Sequence, residues 1–285
     1  MLVLFRHGVD DSKNIVLFGL SVADMIYSFS ETYGRIMYIA LRVDLFIGYE
    51  ISLFYIVCFV YFSTFGMVTS VWLVSLISFE RMIAVCFPFH VSRLMSPMRM
   101  RCMVVLVFTF IAVLYSPSLC MYYLDLAFRT GFNITILKYF TRREYIDNEW
   151  WISIMLDHIL PAFECPVPMI SIIIFTFATI LKLIKANKSM GSSSTSKAKR
   201  VNEMRSIKIS LIICGCMAFS ILVPNACIEA YPTISGDKIP SNAFVFIRSF
   251  NLLAVQFSAT MNFFIYVALS SKFKSTCFDL FKCNK

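Results

Sequence analysis

Three sets of polar side chains sit where apolar neighbours make them costly. Asp24 lies deep in an apolar stretch that opens near Asn14, and Glu80 with Arg81 closes a second. Ser258, Asn262 and Tyr266 recur at i, i+4 and i+8 in the last, which places them on one helical face. A charge held in hydrocarbon costs at least about 2.5–3.5 kcal/mol, so each such group calls for a compensating role. Carboxylate, hydroxyl and amide oxygens bind hard cations or hydrogen-bond between helices, and a Glu-Arg pair can be made and broken. Taken alone, Asp24 reads as an interhelical hydrogen bond and Glu80-Arg81 as a pair snorkelling at the membrane surface. Catalysis is a poor fit. Asp157-His158 beside Pro161 is the nearest approach to a catalytic pair, with no nucleophile, metal cluster or second carboxylate beside it, so the chain does not read as an enzyme. His7, His90 and His158 are scattered, and Cys214-x-Cys216 falls inside an apolar block, where a metal site is not expected.

The stretches that must position these groups dominate the chain. Of its 285 residues, 59% are hydrophobic and 15% charged, with 29 Phe, 16 Met and a mean hydropathy of +0.75. Soluble domains carry about 25% charged residues. Six blocks, at about 14–40, 51–79, 102–124, 150–181, 209–230 and 243–269, each supply the roughly 20 helical residues that cross a bilayer. The implied fold class is all-α, a polytopic membrane helix bundle in which 1–285 form one transmembrane domain. The net charge of +9 lies between the blocks, not as a stripe on a folded surface, so the implied partner is the lipid bilayer and no nucleic acid.

Most of the 26 Lys and Arg fall before the first block and after the second, fourth and sixth, Arg93, Lys185, Arg200 and Lys274 among them. The positive-inside rule makes those loops and both termini cytoplasmic, as the even span count also requires. Ser189 to Ser196 reads as a polar loop. The apolar start Met1-Leu-Val-Leu-Phe5 is too short for a span or a signal peptide; it reads equally as the last turn of a missing helix or as a short tail.

Set in order along the chain, Leu20-Ser-Val-Ala-Asp24, Glu80-Arg81-Met82-Ile-Ala-Val-Cys86-Phe-Pro88, Pro224, and Asn262-Phe-Phe-Ile-Tyr266 followed by Phe273 resemble the second, third, sixth and seventh helices of the rhodopsin-like (class A) G-protein-coupled receptors. Among these, the peptide and chemosensory receptors of invertebrates are the most similar. The resemblance implies seven spans, the first absent here, and a short amphipathic cytoplasmic helix at about 270–282. Departures are Met82 for a tyrosine, Phe263 for a proline and Leu222 for a tryptophan. The loop from Asp125 to Glu149 has no cysteine to pair with the third helix, where Cys58 is the nearest candidate.

The resemblance also implies roles. An extracellular ligand, a peptide or a chemosensory small molecule, would bias a two-state bundle to admit a heterotrimeric G protein. Glu80, Arg81, Pro224, Asn262 and Tyr266 would carry that change, Pro224 as a hinge or a static kink. Asp24, Ser70, Ser258 and Asn262 would hold a sodium ion, or would only hydrogen-bond one another around water. No other cofactor is implied. Glu31, Arg35, Ser63, Met67, Glu164, Glu229 and Arg248 lie toward the outer halves of their blocks as ligand candidates, with Glu31 and Arg35 spaced i, i+4 to pair. Mixed charge suits a peptide or a zwitterion, and Ser63 stands where amine receptors carry an acid. Asn133-Ile-Thr135 is a glycosylation sequon, and Cys277 and Cys283 follow a basic amphipathic stretch as palmitoylated cysteines do. The competing reading is a six-span channel or transporter subunit. No block carries regularly spaced arginines, and neither a glycine-rich filter nor paired halves are visible.

Overall fold

The computed structural model describes residues 12–129, 134–164 and 166–189, with Gly215, Phe250, Leu253, Gln256, Phe257 and Thr260. Helix α1 spans Ser12–Val43 and α2 Leu45–Phe54. A π-helical turn at Tyr55–Phe59 leads into α3, Val60–Cys86. Then come α4, Val91–Leu94, α5, Pro97–Cys120, and an antiparallel hairpin of β1, Tyr122–Arg129, and β2, Ile134–Thr141. Helices α6, Arg143–Asp147, and α7, Glu149–Ile154, precede a second π turn at Met155–Ile159, followed by α8, Leu160–Glu164, and α9, Pro166–Ser189.

Among the described residues, four helical stretches are long and apolar enough to cross a membrane: Asn14–Met37, Gly48–Cys86, Pro97–Ser118 and Leu160–Lys185. They correspond to the first four predicted blocks, with three differences. The loop expected at 41–50 is helix except at Asp44, whose N–H bonds Ala40 O at 2.9 Å and whose carbonyl accepts from Gly48 at 2.9 Å. The third block ends at Cys120 rather than at Leu124, which lies in β1. Pro117 has no N–H to offer Val113, and Ser116 Oγ caps that carbonyl instead, at 2.8 Å. The loop predicted at 125–149 holds most of the hairpin, which begins before it, with Tyr122 opposite Thr141 and Arg129 opposite Ile134. The predicted blocks at 209–230 and 243–269 and the helix at 270–282 lie outside the described residues, apart from helical positions at Gly215, Phe250, Leu253, Gln256, Phe257 and Thr260.

The described residues divide into two compact units. One holds Gly19–Leu73 and Cys102–Pro166; the other holds what is described of Met1–Phe18, Val74–Arg101 and Val167–Lys285. In the first unit, α1 buries Leu20, Ala23, Tyr27, Ser30, Glu31 and Met37, a stripe at helical spacing. Its opposite face exposes Met25, Phe29, Ile36 and Ile39. Apolar outside and partly polar inside is the arrangement that lipid selects. Val68, Ile111, Tyr115 and Leu160 form a second core, against which Phe65, Met67 and Trp72 pack. In the other unit, Ser12 Oγ donates to Met95 O at 2.6 Å, Ser75 and Ser171 share a hydrogen bond at 2.5 Å, and Phe79 meets Phe175 with ring centroids 5.2 Å apart.

Glycines, Gly66 and Gly34 among them, set how closely elements of the first unit approach. A Cβ on Gly66 would lie 2.6 Å from Tyr27 N and 2.9 Å from Ala23 O, so the backbones of α1 and α3 meet with no side chain between them. A Cβ on Gly34 would lie 2.9 Å from the Tyr55 ring, so that glycine makes room for the tyrosine. Replacing Gly66 with Ala is expected to cost about 1–3 kcal/mol, because backbone cannot swing aside as a side chain can. Gly215→Ala adds a Cβ with nothing within 4 Å among the described residues and serves as control. Thermal denaturation in detergent should show a lower melting temperature for Gly66→Ala alone, and equal melting of both variants would refute the close approach.

Candidate functional site

Ser70 Oγ donates to Asp24 Oδ1 at 2.7 Å, between α3 and α1. Gly66 lies one helical turn before Ser70, and Ala23 adjoins Asp24, so the backbone approach at Gly66 is what brings hydroxyl and carboxylate within reach. Two hard oxygen donors suit an alkali cation and would suit a soft metal poorly. Among the described residues no group of three or more His, Cys, Asp or Glu is placed to hold a metal. The other two candidate ligands, Ser258 and Asn262, lie outside the described residues.

A second polar cluster surrounds Glu31. Its Oε1 accepts from Ser63 Oγ at 2.6 Å and from Tyr55 Oη at 3.4 Å. Glu31 is only 7% exposed, so these donors offset the desolvation of a group that would otherwise be costly. Gly34 gives the Tyr55 ring its space, and Tyr33 stacks on Phe59 at 4.3 Å to pack the π turn beside it. The expected Glu31–Arg35 pair does not form among the described residues. Both donors to Glu31 come from across the helix contact, while Arg35 Nη2 is buried with no hydrogen-bond partner. Met67 packs on the apolar core.

Glu164 stands apart from that cluster. It lines a partly open cavity of about 200 Å³ with Thr64, Tyr61, Tyr115, Tyr122 and apolar groups of both π turns, Ile56 and Leu156 among them. Among the described residues its carboxylate has no hydrogen bond and no ion pair. The backbone beside it is proline-rich, since Pro161, Pro166 and Pro168 cannot donate to Asp157, Ala162 and Glu164 in helical geometry. Neighbouring carbonyls take side-chain donors. Trp72 Nε1 bonds Phe163 O at 3.0 Å while its ring stacks on Phe163 at 6.1 Å, and Tyr115 Oη bonds Leu160 O at 3.2 Å.

In the other unit, Arg81 Nε stands 3.8 Å from Glu80 Oε2, with side chains 17% and 7% exposed. That separation makes an ion pair without a hydrogen bond, and Arg81 Nε has no hydrogen-bond partner. Glu80 is buried and Arg81 half-buried, and the pair is loosely joined.

Pro224, Glu229, Arg248, Tyr266, Asn133, Cys277 and Cys283 lie outside the described residues. Cys58 is a free thiol. Sequence reasoning missed Tyr55, Trp72, the tyrosines of the cavity and Gly66. Only Gly66 left a signal, a lone glycine within an apolar helix; the others act on partners far away in the chain.

The family model described as 7 transmembrane receptor (rhodopsin family) matches residues 1–273. No curated protein matches the chain.

Proposed function

The chain belongs to the rhodopsin family of seven-transmembrane receptors, and from that premise we propose that it binds an extracellular ligand, a peptide or a chemosensory small molecule, and activates a heterotrimeric G protein by helix rearrangement. It is a multi-pass membrane receptor of the G-protein-coupled type. The observation that best supports the activation step is the Arg81–Glu80 pair at 3.8 Å. A half-buried guanidinium held by charge alone is attracted to its carboxylate, yet forfeits no hydrogen bond to Glu80 on leaving it. In this reading the pair locks the resting state, and its release turns Arg81 toward the G protein and Tyr266, with Pro224 as the hinge and Asn262 on the moving face. The ligand acts by binding one of the two states better.

The basic loops and the Arg81 end of α3 then face the cytosol, in keeping with the positive-inside rule. Asn133 carries a glycan outside, and Cys277 and Cys283 carry palmitate inside. Glu31, Arg35, Ser63, Met67, Glu164, Glu229 and Arg248 are the ligand-binding candidates. Asp24, Ser70, Ser258 and Asn262 hold a sodium ion; the support is the oxygen chemistry of the donor set and the Asp24–Ser70 contact of 2.7 Å.

Arg81→Ala is expected to abolish agonist-stimulated nucleotide exchange on a G protein added to inside-out membranes, with ligand binding retained. Exchange at the parental rate would remove the mechanism. Asp24→Asn should erase any difference in agonist affinity between sodium and choline chloride. A parent receptor that shows no such difference has no functional sodium site.

A further inference from the structure

The cavity beside Glu164 combines features that together specify a ligand chemistry. Tyr61, Tyr115 and Tyr122 contribute to its wall, and aromatic groups attract organic cations through their ring faces. One carboxylate, Glu164, reaches it without a hydrogen-bond or ion-pair partner among the described residues. The remaining wall is largely apolar, supplied by residues such as Val60 and Leu160. Both π turns border it, through Ile56 on one side and Leu156 on the other, and π turns recur at functional sites because they widen a helix locally. The tyrosine hydroxyls are partly committed already, since Tyr61 Oη donates to Ala112 O at 3.2 Å and Tyr115 Oη to Leu160 O at 3.2 Å. The protons of Tyr61 and Tyr115 are therefore committed to backbone carbonyls rather than to Glu164.

We infer that this cavity binds a small organic ammonium ion with an apolar body, Glu164 serving as the counter-ion and the three tyrosines as an aromatic wall. An ionised carboxylate in apolar surroundings is costly until a cation pairs with it, and a ligand whose body fills the apolar wall delivers that cation. The Glu31 cluster is a separate place: Glu31, Ser63 and Tyr55 do not line the cavity, and the Glu31 carboxylate already accepts two hydrogen bonds. The inference deepens the receptor reading and rests on it only in treating the cavity as a ligand site.

The test uses the full chain in lipid nanodiscs, without G protein. Phenyltrimethylammonium, a permanent cation, is compared with tert-butylbenzene, its neutral isostere, by ligand-observed NMR and by thermal stabilisation. Phenyltrimethylammonium should bind saturably and raise the melting temperature, with tert-butylbenzene at least about tenfold weaker, a difference of about 1.4 kcal/mol. Glu164→Gln should weaken the cation by a similar factor, while Asp147→Asn, which removes a carboxylate in an exposed ion pair with Arg143, leaves it unchanged. Val60→Phe narrows the cavity with the carboxylate kept and should also abolish binding, so the proposal stays testable if Glu164→Gln does not fold. Equal binding of the neutral isostere, undiminished binding to Glu164→Gln, or undiminished binding to Val60→Phe would each overturn it. In a separate assay with G protein, absence of agonist-stimulated exchange in the parent receptor, with cation binding intact, would count against the signalling mechanism and leave the cavity assignment standing.

Discussion

The backbone contact between α1 and α3 at Gly66 governs the polar interior of the unit that contains it. With Tyr27 N 2.6 Å and Ala23 O 2.9 Å from where a Cβ would stand, the two helices pack as closely as helices do in lipid when a small residue lies at the crossing. No hydrophobic force drives helices together in hydrocarbon, so contact distance and hydrogen bonds must do it. The close approach makes the hydrogen bonds possible. Ser70 reaches Asp24 at 2.7 Å one turn beyond the crossing, and Ser63 reaches Glu31 at 2.6 Å on its other side. Each bond in turn offsets part of the penalty of keeping a carboxylate away from water.

The same logic accounts for the surface. Met25, Phe29, Ile36 and Ile39 are exposed on α1, and Phe250, Leu253 and Phe257 are exposed at helical spacing farther along the chain. Such surfaces are adhesive in water and neutral in lipid. Trp150 and Trp151, exposed at the start of α7, are the residue type that settles at the boundary between lipid and water. The buried side chains are therefore freer to be polar than in a soluble protein, and Ser30, Ser63, Thr69, Ser70, Ser75, Ser78 and Glu80 all are.

Some of this was legible in the residues. Long apolar runs identified four of the membrane-crossing helices, since hydrophobic length is a property of consecutive residues. Of the three polar sets singled out as costly, two fall among the described residues and are engaged there: Asp24 with Ser70, and Glu80 with Arg81. What local spacing could not foresee was which partner wins. Glu31 and Arg35 have the spacing of a helix pair, yet Ser63 and Tyr55 approach from another element and satisfy the carboxylate first. The hairpin was hidden because its first strand continues the apolar run of α5, and only Pro117 marks the end of that helix. The Glu164 cavity is assembled from α3, α5 and the segments around both π turns, so no window of sequence contains it.

The coupling between Asp24 and Ser70 is the most direct measure of whether this interior exists as described. A double-mutant cycle of Asp24→Ala and Ser70→Ala, read by the stability of the protein in lipid nanodiscs, is predicted to give a coupling of about 1.5–3 kcal/mol, the range for a hydrogen bond to a charged group. Single-variant effects that simply add, to within about 0.5 kcal/mol, would contradict the account.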